Sequence, residues 1–151
     1  MSLRTITLSP DECRTLLSTT SVGRVATTQH GLPAVVPVRY ALSDDRLVVQ
    51  VVGDDDGYTS CVDAVVGFEA DEMAGAGHYA WWVVAIGIAR PVQPSAAVDA
   101  RDGATVGGDE PASGGSFTLA LDRISGYRVD DPAPGPHHDD VGWIRRTPAA
   151  T

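Results

Sequence analysis

Val22 to Leu42 reads VGRVATTQHGLPAVVPVRYAL, two apolar runs on either side of His30-Gly31. A His-Gly pair between β-branched runs predicts a tight turn, so Val22–Gln29 and Leu32–Leu42 read as an antiparallel hairpin. Within the returning strand the period is two: Val36, Val38, Tyr40 and Leu42 fall on one face, Pro33, Pro37 and Arg39 on the other. Proline has no N–H for a ladder, so Pro33 and Pro37 imply an edge, a bulge or a bend. A sheet that alternates so cleanly buries one face and leaves the other to be accounted for.

The strand pattern continues outward from the hairpin. Asp44-Asp45 makes the next turn, and Leu47–Val52 is almost wholly apolar, the mark of a strand buried on both sides. Val62–Ala70 is a further strand, centred on Val65, Val66 and Phe68. Tyr79–Val92 reads as the longest, with Trp81, Val83, Ala85 and Gly87 facing one way and Trp82, Val84, Ile86 and Ile88 the other. Phe117, Leu119 and Leu121 restore alternation, and Ile124–Val129 continues it after a bend.

Upstream, Ser9-Pro10-Asp11-Glu12 predicts a helix start. Ser9 caps the backbone, Pro10 suits the first helical position and Glu12 completes a capping box. Cys13, Leu16 and Leu17 give a short apolar stripe that fades near Thr19 or Thr20. Pro94–Gly115 reads as loop, with one short helical possibility at Ala96, Ala97 and Val98. The segment after Val129 is proline-rich and aperiodic. Residues 1–130 therefore form a barrel domain and residues 131–151 an extended C-terminal tail. Strands joined by short turns, with few helices, predict a closed or nearly closed antiparallel barrel.

Composition narrows the partners. The chain has 151 residues, 43% of them hydrophobic, with 11 basic against 20 acidic side chains and a formal charge of -9. All the basic residues are arginine. No basic run exists to displace counterions, which argues against nucleic acid and against anionic membrane surfaces. No run reaches the roughly 18 apolar residues of a spanning helix, and MSLRTITLSPDE lacks a signal peptide's apolar region. Cys13 and Cys61 stand apart without CxxC spacing, so both read as reduced, buried structural thiols in a cytoplasmic protein.

Candidate chemistry is sparse. Asp54-Asp55-Asp56-Gly57 invites a calcium-loop reading, and that reading fails. With Gly57 at loop position 6, Asp54 and Asp56 fall correctly at 3 and 5, but Val52 takes position 1 and Asp63 position 12. The run reads instead as a solvated acidic loop ending a strand. His137-His138-Asp139-Asp140 lies in the aperiodic tail, where neighbouring side chains diverge and no metal site is preorganised. His30 and His78 read as structural or surface residues. There is no GxSxG, HExxH or Walker pattern, so no catalytic side chain is assigned. Arg24 and Arg39, mid-strand in apolar surroundings, cannot lose their protons. Each pairs internally, points outward, or meets an anionic ligand such as a phosphate.

The ordered segments VGRVA (Val22–Ala26), GLP (Gly31–Pro33), PVRY (Pro37–Tyr40), VGFEAD (Val66–Asp71), Trp81-x-Val83 through Gly87, and RISG (Arg123–Gly126) resemble the pyridoxamine 5'-phosphate oxidase-like, FMN-binding split-barrel family. The chain is similar in particular to its small nitroimidazole-resistance-type members. The resemblance covers roughly residues 8 to 130. It implies a mainly β fold, a six-stranded antiparallel split β-barrel with a few short helices. It implies a homodimer with FMN, a small-molecule ligand and redox chemistry in an inter-subunit groove. Carried over by position, Arg24, Val38, Arg39, Tyr40, Val51, Val52, Thr59, Ser60 and Trp81 are the cofactor-binding candidates. The family's basic and hydroxyl phosphate-holding segment is replaced here by Gly53-Asp54-Asp55-Asp56-Gly57, which repels a phosphate, and Trp82 replaces a small residue. The redox reading takes FMN or a deazaflavin relative, and the alternative is a flavin-less split-barrel dimer binding another small ligand, or haem, in the same groove. A scaffold without any ligand is the third reading.

Overall fold

A computed structural model describes residues 4–53, 55–75, 79–92 and 114–130. In chain order these form β1 (Arg4–Thr7), α1 (Pro10–Leu17), β2 (Val22–Gln29), β3 (Leu32–Ser43), β4 (Arg46–Val51), α2 (Asp55–Cys61), β5 (Val65–Met73), β6 (Tyr79–Ile88), β7 (Arg90–Pro91), β8 (Ser116–Ala120) and β9 (Ile124–Asp130).

The predicted hairpin is present. β2 pairs antiparallel with β3 from Val22↔Arg39 to Gln29↔Leu32. His30 and Gly31 both have positive φ (51° and 79°), the backbone that a two-residue turn needs to match strand twist. The second turn uses Asp44, also at positive φ, and brings Ser43 opposite Arg46. Pro37 is tolerated in β3 because its carbonyl, not a missing N–H, makes the link to the end of β4: Val52 N–H donates to Pro37 O at 3.1 Å.

All strands join one antiparallel sheet in the order β1-β9-β6-β5-β2-β3-β4-β8-β7. The expected six strands become nine among the described residues. The difference is one of accounting rather than class. β6 and β7 are a single path broken at Ala89, so the order returns to the strand it left. The staves β6/β7, β5, β2, β3, β4 and β8 curl into the barrel, while β1 and β9 extend it beyond β6. This break also corrects the expectation of one long strand over Tyr79–Val92; β3, at 12 residues, is the longest.

Alternation puts one side chain in two inside. Val25 from β2, Val38 and Tyr40 from β3, Leu47, Val49 and Val51 from β4, Phe68, Val83, Phe117 and Leu119 are all buried in one core. Tyr40 and Phe68 meet edge-to-face with centroids 4.9 Å apart. Helix α1 lays Cys13 and Leu17 on this core, and its capping box is formed: Ser9 N–H donates to Glu12 Oε2 at 2.8 Å, and Glu12 N–H donates to Ser9 Oγ at 3.3 Å. The Ser9 backbone contact holds the Glu12 carboxyl below its usual range. Cys13 and Cys61 are both buried and unbridged.

Three sequence expectations are corrected. β4 is not buried on both sides, since Val48 and Gln50 are half-exposed: it lies in the wall of one barrel, not between two layers. The strand expected at Val62–Ala70 runs from Val65 to Met73. Residues 62–64 form the turn between it and α2, where Asp63 has positive φ, and α2 occupies most of the stretch read as acidic loop. Asp55 and Asp56 form the first turn of α2, where the positive end of the helix dipole favours them. Gly57 lets α2 approach the barrel, because a Cβ there would lie 3.2 Å from both Val36 and Val51. Asp54, His78, the segment at Ala96–Val98 and the tail with His137 and His138 lie outside the described residues.

Candidate functional site

The outer face of the sheet carries the unexplained chemistry. Cross-strand register assembles it in rows. One row runs Ile86, Gly67, Ala26, Val35 across β6, β5, β2 and β3. Its small middle residues and larger ends make a shallow apolar trough. The next row runs Val84, Glu69, Arg24, Pro37. Beyond it, Trp82 lies opposite Asp71 on one side, and Val22, Arg39 and Gln50 lie across β2, β3 and β4 on the other.

The exposure of this face is large for apolar groups. Val35 is 67% exposed, Val65 67% and Val22 60%, with Ile86 also exposed. At the β6–β9 edge Trp82 stacks on Tyr127 with centroids 5.3 Å apart, and Tyr79 meets Trp82 edge-on. Glu69, Tyr79 and Trp82 line a concavity of about 360 Å³ there.

The nine sequence candidates separate by side-chain direction. Arg24 and Arg39 face outward on adjacent strands, one diagonal step apart, because Arg24 pairs with Pro37 and Val22 with Arg39. Val52 is exposed beside Pro37 and Thr59 is exposed on α2. Val38, Tyr40, Val51 and Trp81 point into the barrel and are buried, so only their backbone reaches the outer face. The Tyr40 hydroxyl donates to Leu17 O at 2.8 Å, and burial drives its pKa well upward. Trp81 Nε1 donates to Glu72 Oε2 at 2.8 Å. Ser60 Oγ donates to Gly57 O at 2.9 Å, and the Ser60 carbonyl accepts from Thr27 Oγ1 at 2.6 Å.

Arg24 is engaged twice. Its Nη1 lies 2.9 Å from Asp71 Oδ1 and 2.9 Å from Glu69 Oε2. The hydrogen bond to Asp71, then that to Glu69, raises its already high pKa. Sequence reading named Arg24 but not these partners. The signal that would have found them is register: pairing Arg24 with Glu69 places Asp71 two residues on, on the same face.

The residues can be weighed against a flavin mononucleotide. Its flat ring suits the apolar outer face beside Val22, Val35 and Val52. Its phosphate meets mixed chemistry. Arg39 and the exposed Thr59 offer donors, but Asp55 and Asp56 already occupy the first turn of α2, and Arg24 is held by two carboxylates. The ring fits better than the phosphate.

A family model described as pyridoxamine 5'-phosphate oxidase matches residues 9–127. No curated protein matches the chain. Among solved structures, a FAD-binding protein from Mesorhizobium loti is 25% identical, covering 87% of this chain and 100% of its own, with TM-score 0.66. A FAD and heme binding protein from Mycobacterium smegmatis is 13% identical, covering 94% and 93%, with TM-score 0.62. A protein assigned to 5-nitroimidazole antibiotic resistance from Bacteroides thetaiotaomicron is 14% identical, covering 87% and 93%, with TM-score 0.61. These last two are likenesses of fold. With the match running from the cap of α1 to β9 and the barrel in place beneath it, the chain belongs to the pyridoxamine 5'-phosphate oxidase family.

Proposed function

We propose that this chain is a flavin-binding split-barrel protein that pairs with a second copy through its outer face, seats FMN in the shared groove, and reduces or oxidises a small molecule there. The observation that carries the reading is the outer face itself: an apolar trough bordered by Arg24, Arg39 and Trp82, in a member of this family. An exposed face of this kind on a small domain calls for a cover. The Mesorhizobium loti FAD-binding protein, at 25% identity, supports a flavin as part of that cover.

In this reading Arg39 and Thr59 hold the phosphate, and Val52 with the backbone of Val38, Tyr40 and Val51 supports the ring edge. Ser60 and Trp81 act through position: Ser60 anchors α2 to β2, and Trp81 fixes the end of β6 that carries Trp82. Arg24 orders Glu69 and Asp71 at the groove's border. The isoalloxazine would supply the hydride or electron transfer, and the protein orientation and exclusion of water.

The test is an absorbance spectrum and elution volume of freshly purified protein, followed by FMN titration against tryptophan fluorescence. A yellow dimer, or a colourless one that takes up FMN saturably, is expected. A colourless protein that takes up none overturns the flavin reading.

Asp55, Asp56 and Trp82 favour a second reading, in which the same groove holds no flavin and takes another small ligand, or haem. A haem titration separates it, with a Soret band as the positive result. His30 is the only described histidine among the four of the chain, so His30→Ala tests whether it ligates.

A further inference from the structure

The barrel wall parts on the other side of β6 from Arg24 and Arg39. β6 pairs with β9 only as far as Ala85↔Ile124, and its continuation β7 meets β8 only from Arg90↔Thr118. Between those points Ile86, Gly87 and Ile88 pair with β5 alone on one edge, and the other edge opens onto a cavity of about 430 Å³. One backbone link crosses the opening, from Ile86 N–H to Arg123 O at 3.0 Å.

The lining is unlike the rest of this acidic chain. Arg46 from the start of β4, Arg90 from β7 and Arg123 from the β8–β9 turn converge on the opening, against a single carboxylate among the described residues, Asp122. Thr118 adds a hydroxyl, while Ile86 and Ile88 add an apolar wall. Arg46 and Arg90 also pair with Asp45 (3.4 Å) and Asp63 (3.2 Å). Those carboxylates lie outside the cavity lining and at least three-fifths exposed. Exposed pairs of this kind are weak and exchange readily for a better acceptor. Arg123 forms no ion pair with any described residue.

We propose that this opening between β6 and β8 is a binding site for a small organic oxyanion, a phosphate or carboxylate carried on a compact apolar body. Three guanidiniums from three elements surround the anion with forked donors matched to its oxygens. Ile86 and Ile88 cover the apolar part. Charge alone would leave a protein of net charge -9 repelling such a ligand at long range. At physiological salt the repulsion is screened beyond about 8 Å, so local arginines decide the contact. Neither Arg24 nor Arg39 lines this site, so its anion position differs from that proposed for the flavin phosphate, while Ile86 belongs both to its wall and to the edge of the apolar row proposed for the second copy.

The probes are phenyl phosphate, benzoate and inorganic phosphate, titrated into the full chain by calorimetry and by backbone amide NMR. Expected is saturation at one molecule per chain by phenyl phosphate or benzoate, with shifts centred on Ile86, Gly87, Ile88 and Thr118. The tighter of the two names the headgroup, and inorganic phosphate binds more weakly than either because it lacks the apolar body. Arg123→Ala should weaken binding about tenfold, the loss of one charge-assisted contact, while Arg39→Ala leaves it unchanged. Since Arg123 is exposed, its removal should leave the thermal midpoint in place. Absence of saturation, or shifts centred on α2 and Arg39 with affinity indifferent to Arg123→Ala, overturns the site. That second outcome would leave the flavin groove standing, and a failed flavin titration would leave this site untouched.

Discussion

Tyr40 joins most of the physics that single residues contribute. Its ring fills the barrel against Phe68, and its hydroxyl reaches the end of α1 at Leu17 O. Tyr40→Phe leaves that carbonyl without its buried donor, and about 1–2 kcal/mol of stability should be lost in urea denaturation. Gly23 is a stricter constraint. A Cβ there would lie 2.6 Å from Glu69 O and 2.8 Å from the Phe68 ring. Gly23→Ala should therefore cost about 1–3 kcal/mol through overpacking, read as a lower urea midpoint with an unchanged slope. The pH dependence follows from burial. Desolvation raises the pKa values of Tyr40, Cys13 and Cys61 above their unfolded values. Stability from these groups is fully present below the unfolded values, about 8.5 for a thiol and 10 for a phenol. It is lost as pH climbs from there toward the folded values. The urea midpoint should hold through neutrality and fall above about pH 8.5, with Tyr40→Phe removing the part that begins near pH 10.

At the scale of elements, the two helices contrast in legibility. α1 announces itself by its cap, and the structure forms both bonds of the box. Ser9→Ala should cost about 0.5–2 kcal/mol and fray the first turn, seen as faster amide exchange at Glu12 and Cys13. α2 does not announce itself. Its sequence DDGYTSC has a glycine in the middle, no apolar period and only seven residues. Propensity alone cannot hold such a helix, and tertiary contact does so instead. Gly57 packs against Val36 and Val51, and the Ser60 carbonyl is bonded from β2. The acidic run is thus two things at once, a stabilising first turn and a repulsive neighbour for any phosphate. Asp55→Asn with Asp56→Asn should lower stability by under about 1 kcal/mol while tightening FMN several-fold at low salt, the gain shrinking as salt rises. Fluorescence titration at two ionic strengths checks both signs.

For the whole molecule the decisive feature is what the barrel leaves uncovered. Inward side chains close one core, while the outward row Ile86, Gly67, Ala26, Val35 stays apolar and exposed. A second copy covering that row should make the protein elute as a dimer. Val35→Glu, which puts a charge into the covered row, should shift it to monomer and abolish FMN uptake together. Light scattering in line with chromatography reads the first effect and fluorescence the second. A monomeric Val35→Glu protein that still takes up FMN would place the ligand within one subunit.

Local sequence determined most of the strands, though not β1 or the bounds of β5 and β6, because a half-buried sheet writes its faces as alternation and its turns as His30-Gly31 and Asp44-Asp45. It also determined the cap of α1 and the burial of Cys13 and Cys61, while leaving open whether Arg24 and Arg39 pair internally, point outward or meet an anion. Only the tertiary structure decided which strands are neighbours. Pairing Arg24 with Glu69, uniting Ile86 with Val35 in one row, breaking β6 from β7 at Ala89 and bringing Arg46, Arg90 and Arg123 to one opening are all contacts between distant parts of the chain. Periodicity fixes the face a residue takes, but the neighbours on that face come from register across the closed sheet, which no short window of sequence contains.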